Sequence, residues 1–249
     1  FSGLSMDARV KRGFPFVIWW ESSDRKHISF QEILMSRRFS YIFITVAISK
    51  IIFFGWGHWE GPLCIQSLEC NLSFRAGDLV EAPFKFFVAI FTASWFHGDP
   101  QHITFVVLFF MIWVQSFESY TNWKTTASVF FSCVAFVYIT CGVLVYLAPT
   151  YFPENEMLSY MRDSHHLGAS VGMMGVLGAL SHYCKRLWLN PVMLLIFEYW
   201  NRYYNGISEH VTWAHLMSCT FGFLMYGQYI KLNGIQIKSI DELIVTDNE

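Results

Sequence analysis

Apolar residues run through this chain in long stretches separated by short polar clusters. A run of roughly 18 or more is long enough to cross a bilayer as a helix, and somewhat shorter runs suffice inside a helical bundle. Six stretches qualify: Tyr41 to Trp56, His102 to Phe117, Ala127 to Ala148, Leu167 to Cys184, Leu187 to Tyr204 and Val211 to Ile230. The third, fourth and sixth stand on their own, whereas the first, second and fifth are shorter or carry Lys50, Gln115, Pro191 or Glu198. The pattern predicts an all-α, multi-pass membrane protein: an N-terminal arm over 1–39, a six-helix membrane domain over 40–230 and a tail over 231–249. Between the first two stretches the aromatic segment from Phe84 to Phe96 reads as a hairpin lying on the bilayer surface.

Composition agrees. Of 249 residues 54% are hydrophobic and only 14% charged, where a soluble domain carries about 25% charge. The expected partner of this surface is the lipid bilayer. With a net charge of -2 there is no basic signature for nucleic acid. The basic residues are sorted: twelve of the seventeen Lys and Arg fall on the side that holds both termini. By the positive-inside rule that side is cytoplasmic, or matrix or stromal in an organelle, and the membrane itself stays unidentified. In the long first loop on the opposite side, Cys64 and Cys70 could pair or stay free, and Asn71-Leu72-Ser73 forms a sequon. The cysteines within the stretches, Cys133, Cys141, Cys184 and Cys219, are expected to be small packing residues.

Ionisable groups are costly inside a bilayer, so those present are functional candidates. His102 opens the second stretch, Ser170 lies near the outer end of the fourth, and His215 lies about one turn into the sixth, all at a common depth. Gly168, Gly172, Gly175 and Gly178 surround Ser170 at spacings that let another helix backbone approach closely. Ser218 and Gly222 form a matching stripe on the face of His215. If the stripes meet, a serine comes toward a histidine that can accept its proton. No acidic residue is evident at matching depth, so the expectation is a dyad. A purely structural role is open to the same residues: a membrane serine often bonds its own backbone, and glycine stripes can serve packing alone. His97, His165, His166 and His210 are expected at the outer boundary. No H-E-x-x-H or C-x-x-C motif marks a metal site; haem between two histidines stays open.

Taken together these residues resemble the rhomboid intramembrane serine proteases. Gly168-Ala169-Ser170-Val171-Gly172 and the small residues after it resemble that family's nucleophile helix, G-x-S-G. Trp213-Ala214-His215 with Gly222 resembles its histidine helix, and His97-Gly98-Asp99-Pro100-Gln101-His102 its H-G-x-x-x-H approach to the second helix. Glu118 falls where the family has a glutamate at that helix's far end. The resemblance covers about 40 to 230. It implies a six-transmembrane-helix bundle, Ser170 as nucleophile, His215 as general base, and His102 with the Ser170 backbone N–H as oxyanion donors. It also implies transmembrane protein substrates or clients as partners, and neither metal nor organic cofactor.

The departures from the pattern are specific. Val106 stands where the family has an asparagine that helps hold the oxyanion, and Val171 replaces the glycine after the serine. Ser218 stands for a glycine after the histidine, Val114 and Asn122 replace glycines flanking Glu118, and the usual Trp-Arg pair of the first loop is missing. The two readings are therefore a serine protease that cleaves transmembrane segments of client proteins, and a weak or inactive rhomboid-like pseudoprotease that binds clients or serves as a subunit of a larger membrane complex.

Overall fold

The computed structural model describes residues 10–24, 26–54, 71–97 and 100–239. Among these residues lie ten helices and one two-residue parallel pairing, β1 (Val10–Lys11) with β2 (Lys238–Ser239), that joins the two ends of the described chain. Helix α1 (Phe30–Ser36) opens on a capping box: Ser29 Oγ accepts from the Glu32 N–H, and the Glu32 carboxylate accepts from the Ser29 N–H. Next come α2 (Arg38–Phe54), the short α3 (Asp78–Glu81) and α4 (Pro83–Thr92). They are followed by α5 (Pro100–Tyr120), α6 (Trp123–Tyr151), α7 (Glu156–Asp163), α8 (Ser170–Leu180), α9 (Leu189–Asn205) and α10 (Glu209–Leu232).

The six apolar stretches correspond to α2, α5, α6, α8, α9 and α10. By length and composition two of them, α5 and α6, are long and apolar enough to cross a membrane. The fourth stretch differs most from expectation. Its helix begins only at Ser170, because Gly168 adopts a φ of 124° that breaks any regular helix before it, and it ends in a tight turn over Ser181–Tyr183. The aromatic segment expected as a hairpin is a single helix, α4, running into a turn over Ala93–Trp95. Helical spacing explains this: Phe86, Ala89 and Ile90 are buried on one face while Phe84, Phe87 and Phe91 stay exposed.

The centre of the fold is the crossing of α8 and α10. A Cβ on Gly222 would overlap the carbonyl of Gly175, and one on Gly178 would overlap the carbonyl of Cys219. The two backbones are thus in direct contact, as the small-residue stripes require. Ser218 tightens the seam by donating to the Val171 carbonyl at 2.5 Å. On the other side of α8, α6 closes in, with Phe130 against Gly172 and Cys133 against Gly175. Asn122 caps α6 by accepting from the Thr125 N–H at 2.9 Å.

The α2 end is anchored by Glu118. Its carboxylate accepts from the Phe39 N–H at 2.7 Å, the Ser40 N–H at 2.9 Å and the Ser40 hydroxyl at 2.7 Å, which satisfies first-turn donors of α2. The N-terminal arm lies across the same end of α5: the Val17 N–H donates to Ser116 Oγ at 2.9 Å, and Gln115 donates to the Val17 carbonyl. A turn of wider, π-type geometry at Phe110–Val114 precedes this junction, and Phe110 there stacks on Phe43 with ring centroids 3.9 Å apart.

Gly222→Val forces the α8–α10 seam open. It is expected to destabilise the protein by about 3 kcal/mol or more, read as a lowered thermal unfolding midpoint in detergent. Gly13→Ala, where nothing lies within 4 Å of the added methyl, leaves the midpoint unchanged.

Candidate active site

Ser170 owes its position to the break before it. With φ at 124°, Gly168 takes a conformation that L side chains rarely adopt, and a Cβ there would collide with the ring of His102. The Gly168 N–H donates to the Ala93 carbonyl at 3.0 Å, tying the segment to the end of α4. Ser170 is then the first residue of α8. Its N–H belongs to a first turn that has no intrahelical acceptor and sits at the positive end of the helix dipole.

His215 faces it from α10. Its Nε2 lies 2.9 Å from Ser170 Oγ, a hydrogen-bonding distance, with the two residues 3% and 8% exposed. On its other side, His215 Nδ1 lies 2.7 Å from Oε1 of Glu198, which is 2% exposed. The sequence-based expectation of a Ser-His pair with no acidic group at that depth therefore needs correction, since a glutamate from α9 completes the row. The signal for it is one of counting. Glu198 lies seven positions before the end of α9 at Asn205, much as His215 lies six positions after the start of α10 at Glu209. A glutamate that weakens an apolar stretch is, at that depth, the polar neighbour of the histidine.

The row opens on a cavity of about 700 Å³, lined among others by His102, Phe105, Tyr138, Phe197, Trp200 and Asn201. His102 thus shares the cavity with Ser170 and His215, and its ring lies 5.2 Å from that of His97. Val106 is fully buried among core residues. Val171 is partly exposed and does line the cavity beside the serine. Glu118 lies apart, at the start of α2. Among the histidines expected at the outer boundary, His97 and His210 are buried, and His165, His166 and His210 line the cavity. Asn71 of the sequon is exposed, whereas Cys64 and Cys70, and Gly98 and Asp99 of the His97–His102 motif, lie outside the described residues. Among the described residues no group of three His, Cys, Asp or Glu side chains is placed to hold a metal ion.

Serine, imidazole and carboxylate in a row, at the start of a helix and beside a cavity, make up a hydrolase-like constellation within an all-helical frame. A family model described as Rhomboid domain matches residues 85–231, and the chain belongs to the rhomboid family. That family is membrane-embedded and is in general one of intramembrane serine proteases. Neither the curated proteins nor the solved structures provide a match.

The histidines of the loop before α8 differ from free imidazoles. His166 shares a hydrogen bond with Ser164 Oγ at 2.9 Å, and its ring packs 5.0 Å from that of His210. Although part of His166 faces the cavity, burial first, and then His210 and His165, push its pKa from 6.5 down to about 3. Burial also lowers His165. The unfolded chain therefore binds a proton on His166 near pH 6.5 while the folded chain refuses it until about pH 3. Stability is present above pH 6.5 and is lost as the pH falls toward 3. The thermal midpoint of the protein is expected to drop between pH 7 and 5, and to drop less steeply in His166→Gln.

Proposed function

We propose that this chain is an intramembrane serine protease that cleaves transmembrane segments of client proteins near the outer boundary of the bilayer. The observation that carries the reading is the 2.9 Å between Ser170 Oγ and His215 Nε2 at the wall of a cavity. That contact favours the protease over the pseudoprotease, in which no side chain need stand ready to take the serine proton. Ser170 Oγ attacks the scissile carbonyl carbon as its proton passes to His215 Nε2. The C–N bond then breaks as His215 returns that proton to the leaving amine. Water repeats the sequence on the acyl ester, giving its proton to His215 and releasing Ser170. His102 and the Ser170 N–H stabilise the oxyanion. Val106 offers no donor, and one missing donor costs about 10²- to 10³-fold in turnover.

In this reading α2, α5, α6, α8, α9 and α10 span the bilayer, with both termini on the basic side, cytoplasmic, matrix or stromal. Support comes from the exposed apolar residues that ring the bundle, among them Ile42, Val46, Leu108, Ile112, Ile139, Val143 and Leu195. A water-facing surface would leave such a belt unsolvated, whereas lipid tails cover it. Exposed Tyr199, Trp200, Tyr203 and Tyr204 at the end of α9 fit the headgroup level, where amphipathic rings collect. A client helix must unwind locally to be cut, since its peptide carbonyls are held in helical hydrogen bonds.

The wild-type protein in detergent or lipid discs is expected to be labelled by a fluorophosphonate probe, read by in-gel fluorescence. Ser170→Ala abolishes labelling, and His215→Ala lowers its rate by roughly 10³-fold or more. A folded wild-type chain that stays unlabelled would establish the pseudoprotease instead.

A further inference from the structure

We propose that Glu198 is a positioning residue for His215, so that the site works as a Ser170–His215–Glu198 triad whose members come from three different helices. The proposal rests on the protease reading above and adds a residue to it. Glu198 Oε1 lies 2.7 Å from His215 Nδ1, in line with the 2.9 Å contact of Nε2 with Ser170 Oγ. The imidazole is thus held at both nitrogens. A carboxylate accepts and does not donate, so it selects the tautomer with the proton on Nδ1 and leaves the Nε2 lone pair facing the serine hydroxyl. A donor in the same place would set the opposite tautomer and leave Nε2 unable to take the serine proton.

The choice of residue argues for chemistry over packing. The other carboxylate oxygen, Glu198 Oε2, is buried with no hydrogen-bond partner among the described residues. An unpaired carboxylate oxygen is an expensive tether for two helices, and apolar residues of similar size usually serve stability as well or better. Glu118 shows the structural alternative in the same protein, with both its oxygens occupied by donors of α2. What repays a buried negative charge beside a neutral ring is the positive charge the ring acquires when it takes the serine proton. That charge exists only on the way to and from the tetrahedral intermediate, so the interaction strengthens there. Glu198 keeps its own protonation state throughout: the serine proton stops at Nε2, and Nδ1 retains its hydrogen.

The test uses the full chain and a fluorophosphonate probe, with labelling rates followed against probe concentration. Glu198→Gln and Glu198→Leu are expected to lower the limiting labelling rate by roughly 10²- to 10⁴-fold, with little change in the half-saturating probe concentration and with thermal midpoints unchanged or raised. A low-field proton NMR resonance from His215 Nδ1–H is expected in the wild type and in Ser170→Ala, and is lost in Glu198→Gln. Labelling of both Glu198 variants at the wild-type rate would overturn the proposal while leaving Ser170 and His215 in their roles. Loss of labelling with lowered midpoints in both variants, and no low-field resonance in the wild type, would make Glu198 a structural tether and overturn it as well. An unlabelled wild type would instead defeat the protease reading itself.

Discussion

The contact between the backbones of α8 and α10 is the constraint on which the rest of this structure depends. Hydrophobic burial gives little reason for one apolar helix to prefer another over lipid, so close packing must supply the association. Gly175, Gly178 and Gly222 remove the side chains that would hold the axes apart, and Ser218 adds a hydrogen bond across the seam. Ser170 and His215 stand on these same two helices, about one and a half to two turns from the Gly175–Gly222 contact. A close crossing at that distance holds the two side chains within hydrogen-bonding reach of each other. The helix packing and the Ser170–His215 contact are therefore two consequences of one stripe of small residues.

Two buried glutamates show how differently the fold uses the same side chain. Glu118 meets three donors at the start of α2 and so fastens the N-terminal end of the bundle to α5. Among the described residues Glu198 meets a single group, the far nitrogen of His215. A carboxylate whose oxygens are all satisfied stabilises a fold. One left partly unsatisfied costs stability, and in the proposed catalytic cycle its charge is answered by the imidazolium.

Much of this is legible along the chain. Among the described residues the apolar stretches mark the long helices and the glycine spacing marks the α8–α10 seam, while depth and shared stripes offer the Ser170–His215 pairing beside a packing role, and the family resemblance favours it. The exceptions have physical reasons. The segment Phe84 to Phe96 resembles a hairpin because its aromatics outnumber its polar residues, yet their helical spacing puts Phe86 and Ile90 inside and Phe84 and Phe91 outside. Glu198 is hidden because a lone charge in an apolar stretch weighs against the helix unless its depth is compared with that of the histidine. Asn122, a departure from the family pattern, is absorbed as the cap of α6.

Hydrophobicity and spacing are properties of neighbours in sequence, so the sequence by itself determined where the six apolar helices lie, which faces are small enough to touch, and which serine and histidine are candidates to meet. Only the tertiary structure decided that α9 turns Glu198 toward His215, that Gly168 lies under the ring of His102, and that His165, His166 and His210 gather at one cavity. Those outcomes depend on the rotation of each helix about its own axis and on the angles at which helices cross. Contacts between residues far apart in the chain set both, and no local pattern records them.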